Sequence, residues 1–141
     1  MFELLKKYFG YDSLRPAQEP IIQSLLQGKD TLAIMPTGGG KSLCYQLPAL
    51  MQAGLTVVVC PLIALMHDQV TALKENGIWA EYINSSQELE VQNEIMKNLN
   101  SLRNESNLLP HEQIKLLYIS PEKLLANDGY FLNYLDRKSV V

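Results

Sequence analysis

Apolar and polar positions along the chain follow two alternating patterns. Short continuous apolar runs, rich in β-branched and aliphatic residues, are typical of parallel strands that are covered on both faces. Between these runs, apolar residues recur every three or four positions, which predicts helices. The predicted strands cover Thr31 to Met35, Leu55 to Cys60, Trp79 to Ile83 and Ile114 to Ile119. This alternation predicts an α/β fold with a doubly wound parallel sheet and right-handed crossovers.

The predicted helices begin and end at Pro and Gly residues that suit helix ends. They cover Phe2 to Phe9; a segment with Pro16 and Pro20 near its start and Gly28 at its end; Lys41 to Met51, ending or bending near Pro48; Leu62 to Glu75, stopped by Gly77; Gln87 to about Leu102; and a short helix opened by Pro121. Their apolar faces are formed by Phe2, Leu5 and Phe9, by Ile21, Ile22, Leu25 and Leu26, and, as expected core, by Leu62, Ile63, Leu65, Met66 and Val70. The polar stretch from Ser101 to Gln113 predicts a surface loop.

Composition indicates an ordinary globular domain. The 141 residues are 47% hydrophobic and 19% charged, and one domain of this size buries a real core. No apolar run has the roughly 18 residues of a membrane span, and the N-terminus is too short and too amphipathic for a signal peptide. We therefore expect no membrane partner and a cytoplasmic location, associated with the nucleoid in a bacterium.

Charge and cysteine usage narrow the function classes. A net charge of −3 argues against a strong stand-alone DNA binder, although backbone amides and a few hydroxyls can contact phosphates without a basic surface. Cys44 and Cys60 lie in apolar segments without a Cys-x-x-Cys spacing or a neighbouring His. Buried free thiols are therefore expected, and neither a metal site nor a disulfide.

A glycine-rich turn follows the first predicted strand and precedes a predicted helix. Gly38, Gly39 and Gly40 let the backbone take positive φ and approach an anion, so that N–H groups at a helix N-terminus point at phosphate oxygens. Lys41 would neutralise the β and γ phosphates, and the Ser42 hydroxyl is the expected protein ligand of Mg²⁺. This order of elements predicts a nucleoside triphosphate site in which Lys41 and Ser42 act in catalysis.

The surrounding sequence, MPTGGGKSLCYQ, resembles the nucleotide-binding motif of RecQ-type DNA helicases. The general phosphate-loop pattern has Gly six residues before the Lys, where this chain has Met35, but the longer match and its strand and helix context support the resemblance. It implies a P-loop NTPase fold of the RecA-like type, ATP and Mg²⁺ as cofactors, and a further nucleotide contact from Thr37. The alternative is a glycine-rich turn that caps an ordinary helix.

The segment FGYDSLRPAQE, upstream of the loop, resembles the adenine-binding segment of the same family. A Gln side chain offers a donor and an acceptor that match adenine N6 and N7, and an aromatic ring stacks on a base. The resemblance implies adenine recognition by Gln18, stacking by Tyr11 and a supporting polar or phosphate-side role for Arg15. Residues 1–28 would form this helical adenine-recognition segment. Without the downstream loop, Gln18 would be interpreted as an ordinary surface residue.

Two further segments resemble family motifs that contact single-stranded DNA at strand-to-helix turns. In VVVCPLIALMHDQV the resemblance implies a DNA contact at Pro61 and Leu62. In LLYISPEKLL it implies a contact at Ser120 and Pro121. Helix capping by Ser120, with Pro121 at the first helical position, explains those two residues equally well.

The family's acidic Walker-B pair and its second RecA-like domain are expected beyond the last residue of this sequence. Ser139, Val140 and Val141 resemble the start of the Walker-B strand, so residues 1–141 are interpreted as a partial helicase ATP-binding domain, truncated before that strand. We therefore expect weak binding of ATP or ADP, no unwinding by this chain alone, and an exposed sheet edge that lowers stability.

The preferred interpretation is an N-terminal part of a RecQ-like, ATP-dependent 3′-to-5′ DNA helicase of repair and recombination. Its partners would be ATP or ADP, single-stranded or partly duplex DNA, and the remainder of the helicase. The polarity comes from the resemblance alone. Two alternatives stay open: a P-loop kinase or small NTPase, which would need a lid and an acceptor site, and a non-catalytic nucleotide-binding module.

Overall fold

A computed structural model describes residues 1–101 and 108–136. The chain forms two compact units, Met1–Ala53 and Gly54–Val141. The first unit is helical, and the second contains a parallel sheet with helices between its strands. The predicted α/β fold with a parallel sheet is confirmed. No helix in the described ranges combines the length and the apolar character needed to cross a membrane.

Helices form all of the regular structure in Met1–Ala53. A short helix, α1 (Phe2–Leu4), continues as a π-helical turn over Leu5–Phe9. It is followed by α2 (Gln18–Leu26) and α3 (Lys41–Met51). Packing of these elements excludes water from a cluster whose buried members are Leu5, Ile22, Leu43 and Leu47.

Two details of these helices differ from the sequence pattern. Phe2, expected on the same apolar face as Leu5, is 47% exposed while Leu5 is fully buried. The π-helical turn changes the angular spacing of the side chains, and Tyr8 is buried in the same turn as Leu5. The predicted bounds of α3, Lys41 to Met51, are confirmed, but the helix does not end at Pro48: the Gln52 N–H still donates to the Pro48 carbonyl at 3.0 Å.

The predicted strand over Thr31 to Met35 is wrong. These residues form no regular structure, and Leu32 and Ile34 are 89% and 90% exposed. The Thr31 hydroxyl instead lies 2.7 Å from the Ser24 hydroxyl. A strand exists only where a neighbouring segment pairs with its N–H and C=O groups. The sheet formed by the described residues contains no part of this run.

The second unit contains a three-stranded parallel sheet and three helices in the part of the chain that is described. The strands are β1 (Thr56–Val59), β2 (Ala80–Ile83) and β3 (Leu116–Ile119), and the helices are α4 (Ile63–Glu75), α5 (Leu89–Ser101) and α6 (Pro121–Asp136). The strand order is β1-β3-β2, so β3 is central. Each strand is shorter than its predicted run, and α6 is longer than the short helix predicted at Pro121.

Parallel pairing aligns the carboxyl ends of the three strands. Val59 and Ile83 both stand opposite Ile119 at the end of the ladder. β3 is buried at every position, whereas β1, expected to be covered on both faces, is half-buried with Val59 at 50% exposure. The turns that follow β1 and β3 lie at the same sheet edge, the edge at which open α/β sheets bind ligands.

The helix α4 buries a narrower stripe than the sequence predicted. Met66 and Val70, four residues apart, are buried as expected of one helix face. Leu62, Ile63 and Leu65, expected in the core, are 61%, 43% and 43% exposed. Leu62 is extended and precedes the helix, and Leu65 lies roughly 100° around the helix from Met66. Nothing in the structure explains the exposure of Ile63.

The predictions for the cysteines and for Gly77 are confirmed, and two others fall on residues outside the described ranges. Both cysteines are free and buried as predicted, with Cys44 at 5% and Cys60 at 8% exposure. Gly77 follows the end of α4 with a φ of +83°, the conformation expected of a helix stop. The predicted strand start at Ser139 to Val141 lies outside the described residues, as does the middle of the predicted loop from Ser101 to Gln113.

Candidate functional site

The glycine-rich loop is a tight turn that leads directly into α3. The Gly39 N–H donates to the Pro36 carbonyl at 3.0 Å, which closes the turn. Gly38 and Gly40 both have a φ of +79°, a conformation that side chains with a Cβ rarely adopt. Gly39 does not take positive φ as expected; its constraint is space, because an added Cβ would lie 2.9 Å from the Pro36 oxygen. All three glycines are therefore required, for two different reasons.

The N-terminus of α3 supplies the groups that an anion needs. Gly40 is the cap residue and Lys41 is the first helical residue. The N–H groups of the first helical turn have no partner within the helix, and the positive end of the helix dipole lies there. The Lys41 side chain is exposed and Ser42 is half-buried. Thr37 is exposed within the preceding turn.

Two side chains from the upstream segment bind the carbonyls of the glycine-rich loop. The Gln18 Nε2 donates to the Gly40 carbonyl at 3.1 Å, and its Oε1 accepts from the Arg15 N–H at 2.8 Å. The Arg15 guanidinium donates to the Gly38 carbonyl in a short contact. Gln18 is only 4% exposed, so both of its polar atoms are satisfied within the protein. Gln18 is therefore not a surface residue, as it would be interpreted without the downstream loop.

These contacts also orient the loop's peptide planes. In a trans peptide the C=O and the following N–H point in opposite directions. Since Gln18 binds the Gly40 oxygen, the Lys41 N–H of the same peptide points away from Gln18. The Gln18 amide thus fixes the direction of a donor at the start of α3, where an anion would bind.

A cavity of about 250 Å³ lies beside this loop. Its volume and mixed apolar and polar lining suit part of a small organic ligand. The lining includes five of the residues that the sequence assigned to nucleotide binding and four that it did not. It is formed by Phe9, Tyr11, Ser13, Arg15, Gln18, Gly40, Ser42, Leu43 and Gln46.

The four residues that sequence reasoning missed are Phe9, Ser13, Leu43 and Gln46. Phe9 and Ser13 lie inside the segment already assigned to adenine binding, so their proximity gave a weak signal. Leu43 and Gln46 follow Ser42 on α3, and Gln46 lies four residues after Ser42. Residues four apart share a helix face, and both Leu43 and Gln46 lie inside the MPTGGGKSLCYQ motif, which was the signal available. The structure adds that Gln46 is only 7% exposed.

Cys44 lies next to this site but is not suited to act as a nucleophile. Burial raises the pKa of its thiol, and a hydrogen bond to the backbone opposes that rise only in part. The Sγ atom lies 3.6 Å from the Gly40 carbonyl and 3.9 Å from the Met35 sulfur. A thiol that stays protonated is a poor nucleophile and a poor metal ligand. Cys44 therefore packs against the loop without chemistry of its own.

The two strand-to-helix turns of the second unit differ in exposure. Pro61 and Leu62, after β1, are both exposed, with Leu62 at 61%. Ser120, after β3, is only 4% exposed, and its hydroxyl accepts the Lys123 N–H at 3.3 Å. Pro121 is the first residue of α6. The helix-capping explanation of Ser120 and Pro121 is thus supported by geometry, and the exposed DNA-facing candidates are Pro61 and Leu62.

The metal predicted at Ser42 would need most of its ligands from elsewhere. Across residues 1–101 and 108–136, no group of three or more His, Cys, Asp or Glu side chains is arranged to hold a metal ion. Mg²⁺ prefers six oxygen ligands and keeps water and substrate phosphates among them. A half-buried hydroxyl at a helix N-terminus fits one position around an ion that arrives with a nucleotide.

A sequence model of the DEAD/DEAH box helicase family matches residues 15–135 of the chain. The matched region includes the glycine-rich loop and both strand-to-helix turns. It therefore covers the phosphate-side residues and the candidate DNA-facing residues together.

Proteins named ATP-dependent DNA helicase RecQ are similar to most of the chain. The protein of that name from Haemophilus influenzae is 50% identical over 129 residues, which are 92% of this chain and 19% of the relative. The one from Bacillus subtilis is 49% identical over 124 residues, 87% of this chain and 19% of the relative. ATP-dependent DNA helicase Q1 of Mus musculus is 41% identical over 138 residues, 96% of this chain and 19% of the relative. The chain spans about a fifth of the length of these relatives.

Proposed function

Because the chain belongs to the DEAD/DEAH box helicase family and matches its RecQ-type members, we propose that Met1–Ala53 binds ATP with Mg²⁺. The observation that carries the proposal is the pair of contacts from the upstream segment to the loop. Arg15 binds the Gly38 carbonyl and Gln18 binds the Gly40 carbonyl. The upstream segment and the loop are therefore held together before a ligand arrives, which would lower the entropic cost of binding a nucleotide across them.

The phosphate end of the nucleotide would lie at the loop and the start of α3. The loop glycines bring the backbone close, and the first-turn N–H groups donate to phosphate oxygens. Lys41 supplies a positive charge, and Thr37 lies in the turn beside it. Mg²⁺, when bound, would neutralise charge that develops on the phosphates. The Ser42 hydroxyl is the group of this chain that would orient the ion.

The base end would lie in the cavity. The exposed ring of Tyr11 would stack on adenine, and Gln18 would bind its polar edge. Gln18 already makes two hydrogen bonds, but an amide has two N–H donors and two acceptor lone pairs. One donor and one lone pair therefore remain for a base. Arg15 acts as a support, because its guanidinium is engaged with the loop.

In the second unit, we propose that the turn at Pro61 and Leu62 contacts single-stranded DNA. Both residues are exposed at the sheet edge where ligands of α/β folds bind. At the neighbouring turn the Ser120 side chain is buried and the Ser120 N–H donates to the Ile83 carbonyl at 3.4 Å. Pro121 has no N–H, so this turn would contribute only van der Waals contact with the DNA. A net charge of −3 predicts that such contacts are weak in this chain.

For the whole protein we propose ATP-dependent 3′-to-5′ DNA unwinding in repair and recombination. Support for ATP dependence and for DNA comes from the names of the relatives, and the polarity and the repair role rest on the resemblance to RecQ-type helicases. The chain spans about a fifth of its relatives' length, so we propose that unwinding requires parts that are absent from these residues.

Nucleotide titration tests the ATP proposal. Replacing Lys41 by Ala removes a charge-assisted contact, so the affinity for a fluorescent ATP analogue with Mg²⁺ is expected to fall roughly tenfold to a hundredfold. Lys29→Ala is the matched control, because Lys29 is an exposed lysine of the same unit that does not line the cavity. Equal affinities of the Lys41→Ala variant and the unmodified chain would refute the proposal.

A DNA-binding measurement at low salt tests the second proposal. Leu62→Glu places a negative charge at the exposed turn and is expected to weaken oligonucleotide binding severalfold by repulsion from phosphates. Leu89→Glu is the control, since Leu89 is also an exposed leucine, at 70%, but at the start of α5. If both variants weaken binding equally, the contact is nonspecific and the turn has no special role.

A further inference from the structure

Gln46 is a buried amide on the helix that follows the glycine-rich loop. It lies between Leu43 and Leu47, which belong to the apolar core of Met1–Ala53. Only 7% of Gln46 is exposed, yet the residue lines the cavity. Gln46 makes an interaction within the protein, and its amide is a polar group at a position where an apolar side chain would also satisfy core packing. What bears on ligand binding is that this polar side chain lies at the cavity wall.

We infer that Gln46 is a second base-recognition residue, which makes the affinity of the cavity for adenine depend on the amide of Gln46 as well as on that of Gln18. This inference rests on the proposed binding of ATP. Gln46 is the last residue of the MPTGGGKSLCYQ motif, after the loop glycines and outside the adenine-binding segment upstream, and the resemblance assigns it no role. It would contact the base itself and not the phosphates.

The geometry of α3 places Gln46 on the base side of the site. Lys41 begins the helix at the phosphate end, and Gln46 follows Ser42 by four residues. One helical turn advances about 5.4 Å along the axis. Gln46 is therefore one turn deeper than Ser42 on the same helix face, and both line the cavity.

The remaining lining gives this part of the cavity the character of a base site. Phe9 and Leu43 supply apolar surface, and Gln18 supplies a second amide. Such a combination of apolar walls and a few directed polar groups is typical of small-molecule sites. The Gln46 amide has two N–H donors and two acceptor lone pairs. The paired donor and acceptor of an amide match the adenine edge at N6 and N7.

Gln46→Leu in the full 141-residue chain tests this inference. Loss of one neutral hydrogen bond is expected to weaken binding of ATP with Mg²⁺ roughly fivefold. The affinity for inorganic tripolyphosphate, which has no base, is expected to stay unchanged. Gln52→Leu is the matched control: Gln52 is a half-buried glutamine at the end of the same helix, donates to the Leu25 carbonyl and does not line the cavity.

Gln46→Glu provides a second measurement that a purely structural role would not produce. A carboxylate accepts hydrogen bonds but donates none, so it opposes adenine N7 and favours the N–H groups of guanine. The ratio of GTP affinity to ATP affinity is therefore expected to rise at least threefold. Added repulsion from the phosphates affects both nucleotides alike and cancels in the ratio. Circular dichroism of each variant establishes that it is folded, and the Glu variant replaces the Leu variant if the latter unfolds.

The outcomes separate this inference from the proposed function. If the unmodified chain binds neither ATP nor tripolyphosphate, the proposed function fails and this inference fails with it. If it binds both, but folded Gln46 variants keep the ATP affinity and the GTP-to-ATP ratio of the unmodified chain, the inference alone is overturned. A selective loss of ATP affinity with unchanged tripolyphosphate affinity supports it.

Discussion

Two apolar segments of similar composition have opposite environments in this molecule. Every residue of β3 (Leu116–Ile119) is buried, and Leu117 and Ile119 belong to a core cluster. In the run from Thr31 to Met35, Leu32 and Ile34 are 89% and 90% exposed. The difference is pairing: β3 has a parallel partner on each side. An apolar run becomes a buried strand only where other strands pair with it, because its composition alone does not determine its structure.

The largest loss of stability is expected from a substitution at the centre of β3, the buried segment of this comparison. Leu117→Ala removes a fully buried side chain between two paired strands and should lower the free energy of unfolding by about 3 kcal/mol. Trp79 is the single tryptophan and lies beside β2, so its fluorescence in urea reports on the sheet unit. A change below about 1 kcal/mol would contradict the central position of β3.

The next effect is expected at the glycine-rich loop. Gly40 has positive φ, and an added Cβ would lie 2.2 Å from the Gln18 Nε2. Gly40→Ala should therefore lower the free energy of unfolding by about 2 kcal/mol and should weaken ATP binding. Urea unfolding followed by circular dichroism measures the loss of stability. Gly28→Ala is the control, since Gly28 has a similar φ of +73° with open space around it. Equal costs for the two variants would show that the Gln18 contact contributes nothing.

A smaller effect is expected at Lys115, which precedes β3 and is only 3% exposed. Burial lowers the pKa of its ammonium from the ordinary value of 10.5. Between the two pKa values the unfolded chain binds more protons, so stability rises as pH increases through this window toward 10.5.

Lys115→Met should remove that pH dependence and change stability near neutral pH by about 1 kcal/mol or less. It loses the 3.0 Å bond from Nζ to the Gly54 carbonyl but no longer buries a charge. Urea midpoints at neutral and alkaline pH measure the effect. Lys29→Met, at an exposed lysine, should keep the pH dependence of the unmodified chain. An unchanged slope in Lys115→Met would contradict the buried charge.

The smallest effect is expected in the unpaired run. Ile34→Ala removes a side chain that is already 90% exposed, so the free energy of unfolding should change by less than about 0.5 kcal/mol. Circular dichroism in urea measures it in the same series as Gly40→Ala. A loss comparable with that of Leu117→Ala would show that the run from Thr31 to Met35 is packed in solution, and would break the contrast between the two segments.

Sequence reasoning predicted the site better where local rules apply. The start of α3 at Lys41, the positive φ of Gly38 and Gly40, and the first helical position of Pro121 follow from the demands of single turns. Burial could not be predicted in the same way. Leu62 was expected in the core and is exposed, because the helix begins one residue later than its apolar pattern suggested.

The candidate site shows the same contrast between features set by local sequence and features set by packing. The role proposed for the Gln18 amide comes from its motif, but its burial and its bond to the Gly40 carbonyl come from packing between residues 22 positions apart. Gln46 ends the MPTGGGKSLCYQ motif, but the motif alone assigns it no role. Nothing local to its sequence places it in the same cavity as Tyr11.

The sequence by itself determined the glycine-rich turn, the helix that follows it and, within Gly54–Val141, the alternation of strands and helices, because those depend on φ preferences, caps and spacing within a few residues. Only the tertiary structure decided which apolar runs became strands and which polar side chains share the cavity. Pairing and burial depend on partners distant in sequence, whose free-energy contribution appears only once the chain has folded.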